Sequence, residues 1–168
     1  SNIESNKKYG VLAYNNATLN VLGTDINISS ITTSGLATAV GAEAFTQSGN
    51  KGLNKFTDGG TVNIGNSSTQ NINLTAKASG NNQATGIFCT RSVNDPDKKN
   101  NVYAKASFVN IEGENLNITA TSDNGYAVGI WAQNNTGEEN NESTVTINAK
   151  NTVINAITGD KNADSSGE

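Results

Sequence analysis

The chain has 168 residues, of which 34% are hydrophobic and 15% charged, and its formal net charge is −4. The length fits one domain, but the hydrophobic fraction lies below the roughly 45–50% of globular proteins and would suggest disorder unless the apolar residues were regularly spaced. The acidic balance argues against nucleic acid or an anionic membrane surface as a partner, and no stretch approaches the roughly 20 apolar residues of a membrane-spanning helix.

The apolar residues recur in a three-part pattern that is repeated four times: a glycine-led segment and two short alternating strands. The first repeat comprises residues 10–13, 19–21 and 26–28, and the second comprises 41–44, 62–64 and 72–74. The third comprises residues 86–89, 109–111 and 116–118, and the fourth comprises 129–132, 145–147 and, weakly, 152–154. A fixed order of short strands at a period of a few tens of residues indicates a solenoid. The sequence therefore predicts an all-β chain, a single-stranded parallel β-helix of about four coils with three strands each.

The spacing between the segments predicts where loops leave the coil. From the third strand to the next glycine the distance is nearly constant, because Ile28 to Gly41 is 13 residues and Ile118 to Gly129 is 11. After the first segment of each later coil there is extra sequence, at residues 46–60, 90–106 and 134–143. Stacked coils tolerate insertions at one corner. We expect residues 1–160 to form the β-helix and residues 161–168 to form a flexible charged tail.

Alternation along the second and third strands assigns their side chains to two sides. Leucine, isoleucine and valine point inward, and the residues between them point outward. Most of the outward residues are asparagines: Asn20, Asn63, Asn110, Asn27, Asn73 and Asn117. Equivalent residues on neighbouring coils lie about 4.8 Å apart, so these amides either form hydrogen-bonded ladders or make a solvated polar surface.

The first segment differs because its predicted outward residues are partly aromatic. Alternation points Val11, Ala42, Ile87 and Ile130 inward and Leu12, Glu43, Phe88 and Trp131 outward, followed outward by Tyr14, Phe45, Thr90 and Gln133. Phe88 and Trp131 should touch across adjacent coils. The candidate binding patch consists of Leu12, Tyr14, Phe45, Phe88 and Trp131. Either the insertion loops cover this patch as a small extra core, or it contacts a ligand or partner.

Residues that carry catalytic or metal chemistry are scarce. The chain has no histidine, which excludes His-dependent triads and imidazole-ligated zinc. Its single cysteine, Cys89, takes a small inward position and is expected to be a buried, inert thiol. Acidic residues on the predicted strands are isolated, without the clustered carboxylates of a β-helix that cleaves polysaccharides. We therefore expect no catalytic residues, no metal, no cofactor and no enzymatic activity.

Residues 109–120, which read Val-Asn-Ile-Glu-Gly-Glu-Asn-Leu-Asn-Ile-Thr-Ala, and residues 125–132, Gly-Tyr-Ala-Val-Gly-Ile-Trp-Ala, resemble passenger repeats of bacterial autotransporters. The resemblance extends over nearly all of residues 9–157. It implies a right-handed β-helical passenger that is exported to the cell surface. It also implies anchoring through an outer-membrane barrel outside this segment, so the segment itself does not insert into the membrane.

Many passengers of this family are adhesins or aggregation factors. The resemblance therefore implies a non-catalytic stalk or adhesin segment that attaches to a host or bacterial surface protein or glycan, or that self-associates and aggregates cells. Two alternatives remain at this stage. One is a fragment of a carbohydrate-active β-helix enzyme of the polysaccharide lyase or hydrolase type, which a carboxylate cluster on one strand face would favour. The other is a phage-tail or surface-layer solenoid.

Overall fold

A computed structural model describes residues 1–46, 59–93, 106–134 and 142–159. The regular structure in these ranges is all β, and it comprises β1 (Asn2–Ser5), β2 (Tyr9–Tyr14), β3 (Thr18–Val21), β4 (Asp25–Thr32), β5 (Ala37–Thr46), β6 (Thr61–Gly65), β7 (Asn71–Ala78), β8 (Ala84–Val93), β9 (Phe108–Ser122), β10 (Ala127–Asn134) and β11 (Thr144–Thr158). Within the described ranges there is no helix that could cross a membrane. The predicted tail, 161–168, lies outside them.

All strand pairs are parallel, and the strands form the three faces of a coil. The first face is a four-stranded sheet in the order β10-β8-β5-β2. The second face consists of β3, β6 and the first halves of β9 and β11, and the third consists of β1, β4, β7 and the second halves of β9 and β11. Because β9 and β11 continue around a corner, they join the second and third faces into one sheet. The predicted β-helix of about four coils is confirmed.

Side chains of the same kind stack on themselves through the core. On the second face Val21 pairs with Ile64 and Ile64 with Ile111; on the third face the corresponding column contains Ile28, Leu74 and Ile118. These side chains are buried. Inward alternation on these two faces is therefore as predicted, and a narrow core of branched residues compensates for the low hydrophobic fraction.

The outward asparagines form hydrogen-bonded ladders. On the second face Nδ2 of Asn63 donates to Oδ1 of Asn20 (2.8 Å), and Nδ2 of Asn110 donates to Oδ1 of Asn63 (2.9 Å). On the third face Asn117, Asn73 and Asn27 repeat this pattern at 3.1 and 2.9 Å. In every rung the later coil donates and the earlier coil accepts.

In a third ladder the residue of the first coil, which only accepts a hydrogen bond, is an aspartate instead of an asparagine. This ladder runs from Asn151 through Asn115 and Asn71 to Asp25, where the Asn71 amide donates to the carboxylate at 2.7 Å. Asp25 only has to accept, so a carboxylate can replace the amide there and the hydrogen bond becomes charge-assisted.

The second coil stacks two residues away from the predicted alignment on the first face. Val40, instead of Ala42, pairs with Val11 and Ile87, which places Gly41 beside Phe88. A shift by two residues preserves inward and outward alternation. The observed alignment puts a valine, rather than an alanine, in the column that Ile87 fills, so the core has no void there.

Because of this shift, the predicted neighbours of Glu43 and Phe45 on the adjacent coils are wrong. Glu43 pairs with Tyr14 and Thr90, in the column where Phe45 was expected. The backbone of Phe45 pairs with Ser92, one outward position further along the strand. The predicted patch therefore does not contain an aromatic residue next to Tyr14 on the second coil.

The recurring glycine marks the closest approach of the first and third faces. A Cβ added at Gly86 would lie 2.3 Å from Cγ2 of Ile118, and one added at Gly129 would lie 2.3 Å from Cγ2 of Ile154. In the second coil the pairing places Ala39 at this position and Leu74 in place of the isoleucine. Leucine has no branch at Cβ and therefore lacks the Cγ2 methyl group that would clash at Gly86 and Gly129. This difference explains why the second coil has alanine, with a Cβ, at the position where the third and fourth coils have glycine.

The longer connections begin at one edge of the first face. β5, β8 and β10 are neighbours in the same sheet, and they end at Thr46, Val93 and Asn134 before the chain reaches the second face. This agrees with insertions at a single corner. Residues 47–58, 94–105 and 135–141 lie outside the described ranges, and with them the prediction that the insertions cover the aromatic patch.

We expect Gly86→Ala to destabilise the protein by about 1–3 kcal/mol, because the new methyl group overpacks the core. Ile118→Leu in the same chain should recover part of this loss, since it removes Cγ2 and recreates the native Ala39 and Leu74 pair. The recovery should be partial because the added Cβ also lies 2.5 Å from the Gly129 carbonyl oxygen. Urea unfolding of both single variants and the double variant measures the coupling; strictly additive effects would contradict the steric explanation.

The same substitution at opposite ends of one ladder tests its polarity. Asn110→Asp removes a donor and faces a carboxylate towards Oδ1 of Asn63, so it should cost about 1 kcal/mol. Asn20→Asp keeps the only role that Asn20 has in the ladder, which is to accept, and should be neutral or slightly stabilising. Thermal unfolding at pH 7 compares the two variants. Equal melting temperatures would show that the ladder has no fixed direction.

Candidate functional site

A groove runs along the outer surface of the first face. It encloses about 150 Å³ and its lining residues are Lys8, Leu36, Thr38, Gln83, Thr85, Phe88, Trp131 and Gln133. We call it the first-face groove. Stacking explains its shape: Thr38 and Thr85 pair across adjacent strands and form the floor, while Leu36 and Gln83 precede the paired Ala37 and Ala84 and form one wall.

The aromatic side chains predicted to touch form the opposite wall. Phe88 and Trp131 pair across β8 and β10, and their rings meet edge to face with centroids 5.7 Å apart and an interplanar angle of 89°. Both side chains are half-buried. Edge-to-face contact is a preferred geometry of aromatic pairs. It favours one orientation of the Trp131 indole beside the groove.

Tyr9 follows the groove residue Lys8 and lies in the column of Thr38 and Thr85. The ring of Tyr9 lies over Gly41, where an added Cβ would come within 2.8 Å of a ring carbon. The Tyr9 hydroxyl donates a hydrogen bond to the Glu43 carboxylate. Burial, together with this carboxylate, raises the pKa of Tyr9 well above its ordinary value, so the phenol stays protonated. Lys8 Nζ lies 4.5 Å above the same ring.

The predicted patch residues separate into three groups. Phe88 and Trp131 line the groove. Leu12 and Tyr14 are 37% and 40% exposed on the same face but do not line it. For Phe45 the described structure extends to the backbone only. That these residues bind a ligand stays a prediction.

Several groove residues were not predicted, namely Lys8, Leu36, Thr38, Gln83 and Thr85. A usable signal was present in the sequence, because Ala37-Thr38 precedes Val40 in the same way that Ala84-Thr85 precedes Ile87. Aligning these Ala-Thr pairs instead of the glycines gives the observed register. It also places Tyr126, which is 72% exposed, beside Gln83 on the fourth coil.

Cys89 lies on the inner side of the same strand as Phe88, in the column of Ala42 and Ala132. It is buried, and its Sγ donates to the carbonyl oxygen of Ser107 (3.3 Å). Burial raises the pKa of this thiol to about 12. The expectation of a buried thiol is confirmed, and at neutral pH the side chain has almost no nucleophilic thiolate.

The groove carries several groups that can bind a ligand. Its described lining contains one ammonium group, two threonines, two glutamine amides and two aromatic rings, and no carboxylate is among these described residues. Among the described residues there is no group of three or more His, Cys, Asp or Glu side chains that could hold a metal ion.

One comparison with known proteins gives a match. A family model described as "Divergent InlB B-repeat domain" matches residues 95–157, a segment that contains β9, β10 and all but the last residue of β11. The match covers less than half of the chain, so the chain is similar to this bacterial surface repeat domain over that segment. It supports a cell-surface or extracellular location and is not specific to autotransporters. No curated protein and no solved structure matches the chain.

We expect the Cys89 thiol to make stability depend on alkaline pH. The unfolded thiol ionises near its ordinary pKa of about 8.5 whereas the folded thiol ionises near 12. The unfolded state therefore binds fewer protons above about pH 8.5, and stability should fall from there as pH rises.

Cys89→Ala is the matched control because alanine occupies the same column in three other coils. The urea midpoint should fall more between pH 7 and pH 10 in the native sequence than in the variant. Fast labelling of the native thiol at pH 8 by a disulfide reagent would contradict the burial argument.

Proposed function

We propose that the chain is a non-catalytic adhesion segment at the bacterial cell surface, which attaches through the first-face groove to a surface glycan or protein. The observation that carries the proposal is the aromatic groove on the outside of a stacked-coil scaffold. Small-molecule sites combine apolar side chains with a few placed polar groups, and the groove has this composition. The similarity to a bacterial surface repeat supports the location.

The contrast between the faces supports the choice of the first one. On the second and third faces the outward amides bond to one another, so much of their capacity is used within the ladders. On the first face Phe88 and Trp131 leave aromatic surface beside the amide groups of Gln83 and Gln133. A ligand that has both an apolar side and hydroxyl groups fits that mixture.

We further infer an autotransporter-type passenger, with export to the outer surface and an anchor outside this segment. The support for this finer proposal is the resemblance of residues 109–120 and 125–132 to passenger repeats, together with the parallel β-helix that the resemblance implies. Self-association between copies is one form that attachment could take. Nucleic acid stays an unexpected partner because the net charge is −4.

The test is attachment of coated beads to bacteria, to epithelial cells and to one another. We expect beads that carry the native chain to attach, and Trp131→Ala to reduce attachment at least tenfold because it removes one wall of the groove. Phe108→Ala is the matched control, since Phe108 is an aromatic residue that is 41% exposed on the second face. The melting temperatures of both variants confirm that they are folded.

Two results would contradict the proposal. Equal attachment by the native chain and by folded Trp131→Ala would remove the groove from the mechanism. Release of new reducing ends or unsaturated sugars from polysaccharides by the native chain would replace adhesion with the carbohydrate-active enzyme.

A further inference from the structure

We propose that the first-face groove binds a single acidic sugar residue, a uronic acid of a surface polysaccharide, with its carboxylate towards Lys8. This inference rests on the proposed function and specifies the ligand of the same site. It is carried by the volume of the groove, by the types of its polar groups and by its charge.

The volume limits the ligand to about one ring. Pockets that hold drug-sized ligands enclose about 300–1,000 Å³, whereas the first-face groove encloses about 150 Å³. One sugar residue can therefore be enclosed, and the rest of a polysaccharide would lie outside. Binding by one ring is weak, but many copies on one cell surface would act together and raise the avidity.

The walls and floor match the two kinds of surface that a sugar ring has. The indole of Trp131, held by its edge-to-face contact with Phe88, can pack against the C–H side of the ring. Thr38 and Thr85 lie at the floor and are only 4% and 3% exposed, so the amides of Gln83 and Gln133 are the neutral polar groups that sugar hydroxyls could meet. Gln83 Nε2 donates to Oγ1 of Thr85 (3.0 Å), which orients the Gln83 amide at the floor.

The charge favours an acidic over a neutral or basic sugar. Among the described residues that line the groove, Lys8 alone is charged. Glu43 on β5 does not line the groove, and its carboxylate accepts a hydrogen bond from the Tyr9 hydroxyl. Tyr14 and Cys89 are neutral at pH 7, since the ordinary pKa values of a phenol and a thiol already lie above 7 and burial raises the pKa of each further. An ammonium without a carboxylate in the same groove attracts an anion and repels an amino sugar.

The test is titration of the protein with methyl glucuronoside, with uncharged methyl glucoside and with glucosamine, followed by Trp131 fluorescence. At low salt we expect the glucuronoside to bind about fivefold more tightly than the glucoside, as a partly exposed ion pair allows, and glucosamine to bind least. Lys8→Gln should abolish the preference for the glucuronoside, measured as the ratio of the two affinities in the same variant. Lys77→Gln, which changes an exposed lysine on the third face, should alter neither.

The outcomes separate this inference from the proposed function. Equal affinity for glucuronoside and glucoside, or a preference that survives Lys8→Gln, would overturn the acidic sugar. Absence of binding by every sugar, while beads still attach through Trp131, would also overturn the inference and leave adhesion through another ligand. Absence of both sugar binding and attachment would overturn the two together.

Discussion

The structure depends on stacking in register: each residue of a coil lies about 4.8 Å from its counterpart in the next coil. A side chain must therefore be compatible with a near copy of itself. Branched apolar residues satisfy this rule in the core, where Ile28, Leu74 and Ile118 form one column. Asparagine satisfies it outside, because an amide both donates and accepts and can bond to an identical amide on each side.

The same constraint gives rise to the groove. Threonine recurs in one column and aromatic residues in a parallel one, so a depression bounded by different side chains extends along the coil axis. Gly41 interrupts the aromatic column, and the ring of Tyr9 occupies the space that a larger residue would take. The shape of the groove thus results from the columns of side chains that repeat and from the position at which a glycine interrupts one of them.

Much of the fold could be predicted because alternation and order are both visible in the residues. The three strands per coil, the inward isoleucines and the contact between Phe88 and Trp131 follow from them. The register of the second coil could not be obtained from alternation, since a shift by two residues leaves it unchanged. Aligning Gly41 with the other recurring glycines predicts that Ala42 pairs with Ile87. In the structure Val40 pairs with Ile87 instead, because Ala39 and Val40 pack into the core. Only this second alignment brings Thr38 beside Thr85 and reveals the groove.

The most direct test of this account is the stacking register of the second coil, measured by nuclear Overhauser effects between methyl groups in selectively labelled protein. In the structure Val40 and Ile87 are direct neighbours on adjacent strands, whereas Ala42 neighbours Cys89. We predict a strong effect between Val40 and Ile87 methyl groups and a weak or absent one between Ala42 and Ile87. A strong effect between Ala42 and Ile87 would instead shift the second coil by two residues, separate Thr38 from Thr85 and remove the groove.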